Sequence, residues 1–343
     1  MKMTLHRIEL PLAHPFTIAR GSIRSQQSLV VQLEHDDSVG WGEVTENTYY
    51  GHTVESIAQS LGRVTELLPA YGQESPDELW QRSLEAMDGN LFALSALDIA
   101  AHDLHARRND VPLYQDWGLT WDSVPDSSYT IGIDTIEKMI EKLAEQPDWS
   151  IYKIKLGTKN DQEIVQSLRQ HSDAVFRVDA NCGWTVDETI ENAAALAQLN
   201  VEFIEQPLPA DASEADKRAV FEQSALPIVA DESCLRESDV SACRGLFHGI
   251  NVKLCKCGGL TPALRMLRQA REFCMKTMVG CMIESSIGIS AAAQLLPLLD
   301  YADLDGAVLL REDPAIGVQV CRGKVSLPDR TGTGAQWMGH HRN

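Results

Sequence analysis

Five short apolar runs, each followed by a segment that suits a helix, most constrain what this chain can fold into. The runs are Ile151 to Leu156, Val175 to Asn181, Val201 to Pro207, Pro227 to Glu232 and Gly249 to Leu254. Each is six or seven residues long. They are rich in Val, Ile and Phe, and about 20 residues separate one from the next, which is typical of repeated βα units with a parallel sheet. The simplest α/β architecture of this kind is a (β/α)8-type barrel.

Acidic residues recur at the same place in three successive runs. Asp179 is followed by Glu205 after 26 residues and by Asp231 after another 26. Because all strands of a closed barrel deliver their C-terminal ends to one face, the three carboxylates are expected to converge. Like charges that close together need a cation, and an all-oxygen set of ligands suits Mg²⁺. The alternative is that each acid caps the helix after its strand, but three acids in the same phase favour the metal site.

Lysines flank the acidic residues on both sides. Lys153 and Lys155 are two residues apart on one strand, so both side chains point into the barrel. Two neighbouring buried ammonium groups are costly, and at least one is expected to have a lowered pKa, as a general base near neutral pH requires. Lys253 lies four strands on from Lys155 and should approach from the opposite side. A base on each face of a bound carbon can invert a stereocentre by 1,1-proton transfer.

The motifs that carry these residues are KIK at 153–155, VDAN at 178–181, IEQP at 204–207, ADES at 230–233 and NVKLCKCGG at 251–259. In this order and spacing they resemble the enolase superfamily, in the subgroup named for muconate lactonizing enzyme. The likeness covers nearly the whole chain. Enzymes of this superfamily use a Lys or His base with Mg²⁺ to stabilise an ene-diolate.

The resemblance implies a role for each charged residue of these motifs. It makes Asp179, Glu205 and Asp231 the Mg²⁺ ligands. It makes Lys155 and Lys253 the two acid/base residues, and Lys153 a neighbour that helps to hold a substrate carboxylate. Because members of the family often form homo-oligomers, self-association is left open.

Composition excludes several classes of partner. The chain of 343 residues carries a formal net charge of −19, whereas a nucleic-acid partner requires a basic patch. The charge also gives no long-range attraction for an anionic substrate, so local cations in the pocket must provide it. We find no apolar run long enough for a membrane span and no signal peptide, which predicts a cytoplasmic protein. The eight cysteines lack zinc spacing and are expected to be reduced thiols.

The N-terminal part reads as a separate α+β domain, Met1 to Leu119. Strands at Met3 to Leu10, Ser28 to Leu33 and Gly40 to Val44 precede helices at Thr53 to Leu68, Ser75 to Met87 and Asn90 to Arg107. The resemblance implies that this domain caps the barrel mouth and that its loops, Phe16 to Ser22 and Thr45 to His52, select the substrate. Arg20 is a candidate for binding a substrate carboxylate, with an exposed surface arginine as the alternative.

The barrel is expected to occupy 120–311. Ser128 to Ile133 reads as its first strand, with Thr130 reaching the pocket, and Thr277 to Ile283 and Asp300 to Leu309 read as the seventh and eighth. We expect Cys281 and Ile283 to line the pocket for the substrate side chain, and Glu284 to support the site without binding metal. Residues 312–343 are expected to return to the capping domain, and the chain from Gly332 to its end reads as a loose tail.

The eighth strand carries the sequence signal for the substrate. Asp303 and Asp305 share one face of a strand, with Leu304 between them turned toward the helices. Unpaired inside a barrel they would be costly, and an ammonium group would supply the missing charge. A D-x-D here resembles the dipeptide epimerases, where it binds the free α-amino group. The alternative is a surface loop.

The function that these residues imply is a Mg²⁺-dependent dipeptide epimerase, an isomerase that inverts the α-carbon of the C-terminal residue. Arg20 further resembles the arginine of enzymes that act on L-Ala-D/L-Glu. The alternatives are an o-succinylbenzoate synthase or N-acylamino acid racemase, which use the same lysines and metal, and a barrel that binds a carboxylate without turning it over. A further alternative is a Schiff-base aldolase. In that enzyme borohydride would trap one lysine, and the activity would not need Mg²⁺.

Overall fold

The computed structural model describes residues 1–18, 21–65, 68 and 75–339. Two main sheets organise these residues, a three-stranded antiparallel sheet near the N-terminus and an eight-stranded parallel sheet. Each has its own apolar core, one between the first sheet and its helices and one between the parallel strands and the helices around them. The architecture therefore follows the two hydrophobic patterns of the sequence.

The N-terminal sheet is a meander of β1 (Lys2–Ile18), β2 (Gly21–His35) and β3 (Ser38–Thr45). The first two strands are longer than predicted, because pairing resumes at Phe16–Ile23 after an irregularity that begins at Pro11. All described residues of the expected loop Phe16 to Ser22 therefore lie in strands. Arg20 lies outside the described residues.

In the described part of the chain, four α-helices follow the sheet: α1 (Val54–Gly62), α2 (Pro76–Ala86), α3 (Leu91–Arg108) and α4 (Leu113–Asp116). Thr53, Ser75 and Asn90 cap the first three through their side chains, as is usual for such residues at a helix start. Helix α3 packs against β3, where a Cβ on Gly42 would overlap the carbonyl oxygen of Ala96. Glycine therefore allows this helix to approach the strand closely.

The parallel sheet is a barrel in sequence order. Its strands are β4 (Tyr129–Ile131), β5 (Ile151–Lys155), β6 (Val175–Asp179), β7 (Val201–Glu205), β8 (Ile228–Ala230), β9 (Gly249–Val252), β10 (Lys276–Gly280) and β11 (Tyr301–Asp303). A parallel bridge between Ser127 and Ala302 joins the last strand to the start of the first. The predicted barrel is thus confirmed, although β11 ends at Asp303 and not near Leu309.

Eight helices accompany these strands: α5 (Ile136–Glu145), α6 (Asp161–Arg169), α7 (Val186–Ala197), α8 (Glu214–Gln223), α9 (Glu237–Cys243), α10 (Leu254–Cys257), α11 (Leu260–Glu272) and α12 (Ser286–Ala293). The sequence did not predict α10 or α12. Every residue of α12 is buried, so it lacks the polar face that makes a surface helix recognisable. Helix α10 is a single turn.

The C-terminal residues contribute β12 (Ala315–Ile316), β13 (Gln319–Cys321), β14 (Lys324–Ser326) and β15 (Gln336–Trp337). The Trp337 ring lies 6.5 Å from that of Trp41 on the N-terminal sheet. Thr333 N donates to the buried Asp103 carboxylate at 2.6 Å. The prediction of a loose tail from Gly332 is therefore wrong for residues 332–339, because Asp103 offers a buried acceptor there. The domain boundaries at 119 and 311 stay predictions.

All eight cysteines fall within the described residues and are free thiols. Among the helices that the structure describes, none combines the length and the apolar composition needed to cross a lipid bilayer.

Candidate active site

Three carboxylates converge at the C-terminal ends of neighbouring barrel strands. Asp179 ends β6, Glu205 ends β7 and Asp231 follows β8 directly. One oxygen atom from each lies within 4.8 Å of the others. All three residues are buried, with exposed fractions of 0%, 0% and 2%. A buried triple negative charge requires nearby cations.

Lysine ammonium groups supply positive charge to this triad. Lys155 Nζ lies 2.6 Å from Asp179 Oδ2, and Lys253 Nζ lies 2.9 Å from Asp231 Oδ2. Lys153 Nζ is 2.8 Å from Glu205 Oε2 and 3.3 Å from Asp179 Oδ2. The structure thus brings together the acidic and the basic residues that the sequence motifs singled out.

The two predicted acid/base lysines lie on opposite sides of the barrel. Lys155 ends β5 and Lys253 follows β9, and these strands are four positions apart in the closed ring of eight. Both side chains line the cavity at the barrel mouth. A substrate carbon held between them is accessible to a basic group on each face.

The sequence predicts a lowered pKa for at least one of the two neighbouring lysines, but the pKa of Lys153 is raised. Burial alone would lower the pKa of Lys153, but Asp303, Glu205 and Asp179 surround it and raise the pKa well above its ordinary range. Burial also opposes the charge on Lys253, and Asp231 outweighs it, so this pKa is raised too. The sequence places Lys155 beside Lys153 but does not reveal that three carboxylates face Lys153.

Asp303 and Asp305 lie at the end of β11, on the side of the barrel opposite β7. Asp303 Oδ1 accepts a hydrogen bond from Ser128 Oγ at 2.8 Å, and its Oδ2 lies 2.8 Å from Lys153 Nζ. Leu304, between the two acids, is fully buried in the helix-side core. The two aspartates therefore face the barrel interior, as expected, and Lys153 already neutralises the first of them.

The second aspartate, Asp305, has a hydrogen bond but no cationic partner among the described residues. Asp305 Oδ2 accepts a hydrogen bond from Thr130 N at 2.6 Å, and no salt bridge to it is found among the described residues. Burial and the adjacent Asp303 raise its pKa to about 7. A cationic group entering the cavity would therefore be stabilised at Asp305.

A cavity of about 470 Å³ lies between these residues and the N-terminal domain. Of the predicted binding residues, Thr130, Cys281 and Ile283 line it together with the lysines and the two aspartates. Asp179 and Glu205 lie deeper in the barrel and are fully buried. Arg20 lies outside the described residues, although Ile18 and Gly21 on either side of that gap line the cavity.

Several residues of the site escaped the sequence reasoning. The Lys256 ammonium contacts a side-chain oxygen of Asp231 and lies 2.9 Å from its backbone carbonyl. Asn251 Nδ2 donates to Glu205 Oε1 at 2.8 Å, and Glu232 lines the cavity. Glu232 and Lys256 lie within the ADES and NVKLCKCGG motifs, and this position could have identified them as residues of the site. Glu284 accepts a hydrogen bond from Met282 N at 3.2 Å, and its role stays a prediction.

The carboxylate triad fits a hard divalent cation. Its donors are buried oxygen atoms close enough to share one ion, the chemistry that Mg²⁺ prefers. The backbone beside it is unusual, because Asn181, Cys182 and Gln206 adopt positive φ angles of 46°, 66° and 36°. Such strain in residues other than glycine is concentrated at functional sites. Geometry and chemistry therefore make the triad a candidate metal site.

Comparisons with known proteins agree with this site. Residues 2–118 match the mandelate racemase / muconate lactonizing enzyme N-terminal domain, and residues 135–340 match the enolase C-terminal domain-like family. The L-Ala-D/L-amino acid epimerase of Flavobacterium johnsoniae is 51% identical over 334 residues, which cover 97% of this chain and 99% of that protein.

Solved structures show the same likeness. A dipeptide epimerase from Cytophaga hutchinsonii, complexed with Mg and D-Ala-L-Val, gives a TM-score of 0.89 at 27% identity, covering 99% of this chain and 97% of that one. A dipeptide epimerase from Enterococcus faecalis V583, complexed with Mg and L-Leu-L-Tyr, gives 0.89 at 30% identity, covering 97% and 98%. The chain therefore belongs to the mandelate racemase / muconate lactonizing enzyme family of the enolase superfamily, as its motifs predicted.

Proposed function

We propose that this protein is a Mg²⁺-dependent dipeptide epimerase that inverts the α-carbon of the C-terminal residue. The observation that carries the proposal is the placement of Lys155 and Lys253 on opposite sides of the carboxylate triad. The name of the Flavobacterium johnsoniae relative and the dipeptides bound to the solved homologues support it. The predicted enzyme class, an isomerase acting on amino acid derivatives, is confirmed by these relatives.

Asp179, Glu205 and Asp231 would hold Mg²⁺. When bound, the cation supplies positive charge that stabilises the negative charge developing on a substrate carboxylate. The oxygen donors are fixed before substrate arrives, because Asn251 donates to Glu205 and Lys256 contacts Asp231. Lys153, buried between Glu205 and Asp303, adds a fixed positive charge next to the same carboxylate.

The two lysines move the proton. In its neutral form, one lysine removes the α-hydrogen from one face of the C-terminal residue, which leaves a planar ene-diolate. The other lysine, in its ammonium form, returns a proton to the opposite face. The α-carbon is then inverted, and each lysine ends in the protonation state that the other had at the start. The reverse reaction therefore uses the same pair in exchanged roles.

Asp303 and Asp305 would bind the free α-amino group of the dipeptide. Lys153 already pairs with Asp303, so the ammonium group of the substrate adds its charge chiefly at Asp305. Thr130 supports both acids, since its backbone N–H donates to Asp305 and its hydroxyl to Asp303 at 3.4 Å. The substrate class is therefore a dipeptide with a free amine. L-Ala-D/L-Glu stays a prediction, because Arg20 lies outside the described residues.

The test is a dipeptide library incubated with the full chain and Mg²⁺ in D₂O. We expect substrates to gain one mass unit and NMR to show the second diastereomer. Exchange of N-acylamino acids or turnover of succinylbenzoate precursors, with no exchange of dipeptides, would instead establish the racemase or synthase alternative. Ligand binding without any exchange would establish a non-catalytic barrel.

The variant Asp305→Asn tests whether Asp305 binds the amino group of the dipeptide. It should lower kcat/KM for free dipeptides by roughly tenfold or more, because a site built to bind a charged group loses that charge. It should spare N-acetylated dipeptides, which have no ammonium group. Equal loss on both substrates would contradict the role of Asp305.

A further inference from the structure

The short helix α10 carries Lys253 at its start. Lys253 directly precedes this single turn, and its backbone carbonyl accepts hydrogen bonds from Lys256 N and Cys257 N at 3.0 and 3.2 Å. These bonds join the backbone of the lysine to α10. A displacement of α10 would therefore displace Lys253 as well.

The side chains of α10 are divided between the two apolar cores of the protein. Leu254 and Cys257 pack in the barrel core, whereas Cys255 packs in the core of the N-terminal domain. Trp80 on α2 reaches the end of the same turn, because its indole Nε1 donates to Gly258 O at 2.8 Å. The N-terminal domain thus holds α10 by apolar packing and by a hydrogen bond.

Asp98 on α3 binds the start of the next helix, α11. Its Oδ2 accepts a hydrogen bond from Thr261 N at 2.8 Å, and its Oδ1 accepts one from Thr261 Oγ1 at 2.7 Å. His102 Nε2, one turn further along α3, lies 2.9 Å from the same hydroxyl. Gly259 precedes α11 and has no side chain with which to cap it, although the first N–H groups of a helix need acceptors. Asp98 therefore caps α11 from the N-terminal domain.

The link between α10 and α11 packs closely against this carboxylate. A Cβ on Gly259 would lie 2.4 Å from Asp98 Oδ2, and one on Gly258 would lie 3.2 Å from the Leu91 side chain. Gly258 and Gly259 have φ angles of 100° and 114°, which other residues would adopt only with strain. Asp98 is 2% exposed, so water does not compete for its hydrogen bonds. The contact between the two domains is therefore tight at the residues that follow Lys253.

The backbone around Lys155 is held by different residues. Lys155 ends β5, and the next residue, Leu156, packs in the barrel core and donates from its N to Asp179 O at 2.8 Å. Gly157 N then donates to Asp161 Oδ2 at 2.9 Å. These partners all belong to the barrel. The two lysines thus depend on different parts of the protein.

We infer that Asp98 and Trp80 are positioning residues for Lys253 and not for Lys155, so that the N-terminal domain supports proton transfer at one face of the reacting carbon. This inference rests on the proposed epimerase function. Neither Asp98 nor Trp80 lines the cavity, and both act through the turn that carries Lys253. A shift of about 1 Å in a catalytic group can slow a reaction by about 10²-fold.

The experiment follows the loss of the α-hydrogen from each diastereomer separately, by NMR in D₂O with the full chain and Mg²⁺. The probes are L-Ala-L-Leu, L-Ala-D-Leu and the corresponding Glu pair. The variants Lys155→Met and Lys253→Met first show which diastereomer each lysine serves. We expect Asp98→Ala to slow exchange of the Lys253 diastereomer by about 10- to 100-fold, in kcat more than in KM. Exchange of the Lys155 diastereomer should be nearly unchanged.

Two milder variants test the same contacts. Asp98→Asn should restore most of the rate, because asparagine caps a helix about as well as aspartate does. Trp80→Phe keeps a ring and removes the hydrogen bond to Gly258 O. It should slow exchange of the Lys253 diastereomer by about fivefold, the scale of one net hydrogen bond. Trp80→Phe also provides the test if Asp98→Ala does not fold.

Asp103→Ala is the matched control. Asp103 is a buried acid on the same helix, and it accepts from Trp41 N at 2.8 Å and from Thr333 N at 2.6 Å. Both alanine variants remove a buried acceptor and should lower the Tm. Only Asp98→Ala should change the ratio of the two exchange rates. Equal slowing of both diastereomers by Asp98→Ala, or the same ratio in the two variants, would overturn the positioning role.

Amide hydrogen exchange tests the structural step without the reaction. Asp98→Ala should speed exchange of the backbone amides of residues 254–261 and leave those of residues 155–161 unchanged. Unchanged amides in 254–261 would overturn the positioning role while the epimerase function stands. If the wild type exchanges the α-hydrogen of none of the four dipeptides, the epimerase function fails, and the role of Asp98 fails with it.

Discussion

The side-chain carbonyl of Gln206 accepts a hydrogen bond from the backbone N–H of Asp231 at 3.0 Å, and so ties the end of β7 to the proposed metal ligand that follows β8. The same oxygen accepts from Ser233 N at 3.0 Å. The Gln206 amide nitrogen donates to Leu208 O and Ser233 Oγ at 2.8 and 3.0 Å. One buried amide thus holds the loop that presents Asp231.

Gln206→Met should weaken Mg²⁺ binding by about 10- to 100-fold, the usual cost of losing a residue that orients a metal ligand. Titration calorimetry with Mg²⁺, or Mn²⁺ binding followed by electron paramagnetic resonance, measures this directly. Gln294 is the matched control, since its buried amide accepts from Tyr114 N at 3.1 Å and donates to Ser290 O and Thr333 O at 3.3 and 3.1 Å.

Gln294→Met should lower the free energy of unfolding by about 1–3 kcal/mol, as Gln206→Met should, because each change leaves buried partners without a hydrogen bond. Only Gln206→Met should change the metal affinity. Unchanged affinity in both variants would reduce Gln206 to a structural role.

Lys155→Met and Lys253→Met should each abolish epimerisation, while each retains α-hydrogen exchange on one diastereomer of the dipeptide. The reason is that the lysines lie on opposite sides of the barrel, so each variant keeps the base for one face only. The loss of a positioned base should slow the affected exchange by about 10²- to 10⁴-fold. NMR in D₂O with the separate L,L and L,D dipeptides measures both exchanges. The two variants should exchange opposite diastereomers, and exchange of the same one by both would show that the lysines serve one face.

Removal of divalent metal should abolish exchange and leave the protein folded. Each triad carboxylate has a lysine partner in the structure, so the buried charges are compensated without an ion. Added Mg²⁺ should raise the free energy of unfolding by about 2.7 kcal/mol at one hundred times its dissociation constant. Thermal unfolding with EDTA, and with Mg²⁺ at constant ionic strength, measures the shift. Asp231→Asn should remove it, and an unchanged shift in that variant would place the ion elsewhere.

The stability of the protein should fall as pH rises through the range in which Glu284 stays protonated. Burial, followed by the charge of Glu43, raises the pKa of Glu284 from 4.5 to about 8. Between these values the folded state holds a proton that the unfolded state has released. The free energy of unfolding therefore decreases with pH, by up to about 1.4 kcal/mol per pH unit for one such group.

Glu284→Gln keeps the shape of the neutral acid and removes the titration. We expect its free energy of unfolding to vary less than that of the wild type from pH 5 to 8, and the variant to be the more stable of the two at pH 8. Urea denaturation across this range compares them. Parallel pH profiles would show that Glu284 is ionised in the folded protein.

The barrel could be predicted from the sequence because its signal is local. The apolar runs at Ile151 to Leu156 and Gly249 to Leu254 contain β5 and β9, and the alternation of a strand decides which side chains face inward. Helix α12 could not be predicted, because a helix buried on every side has no periodic pattern. The role of Gln206 could not be predicted either, because its hydrogen-bond partners depend on the conformation of the loops that follow β7 and β8.

The sequence by itself determined the order of the strands and which ionisable residues stand at their C-terminal ends, because both follow from spacing along the chain. Only the tertiary structure decided how these charges pair. Lys153 meets Asp303, 150 residues away, because the barrel closes between its first and last strands. Closure also surrounds Lys153 with three carboxylates, which outweigh the effect of burial and raise the pKa of this lysine. The cavity over the site likewise depends on the N-terminal domain packing against the barrel, a contact that no local pattern encodes.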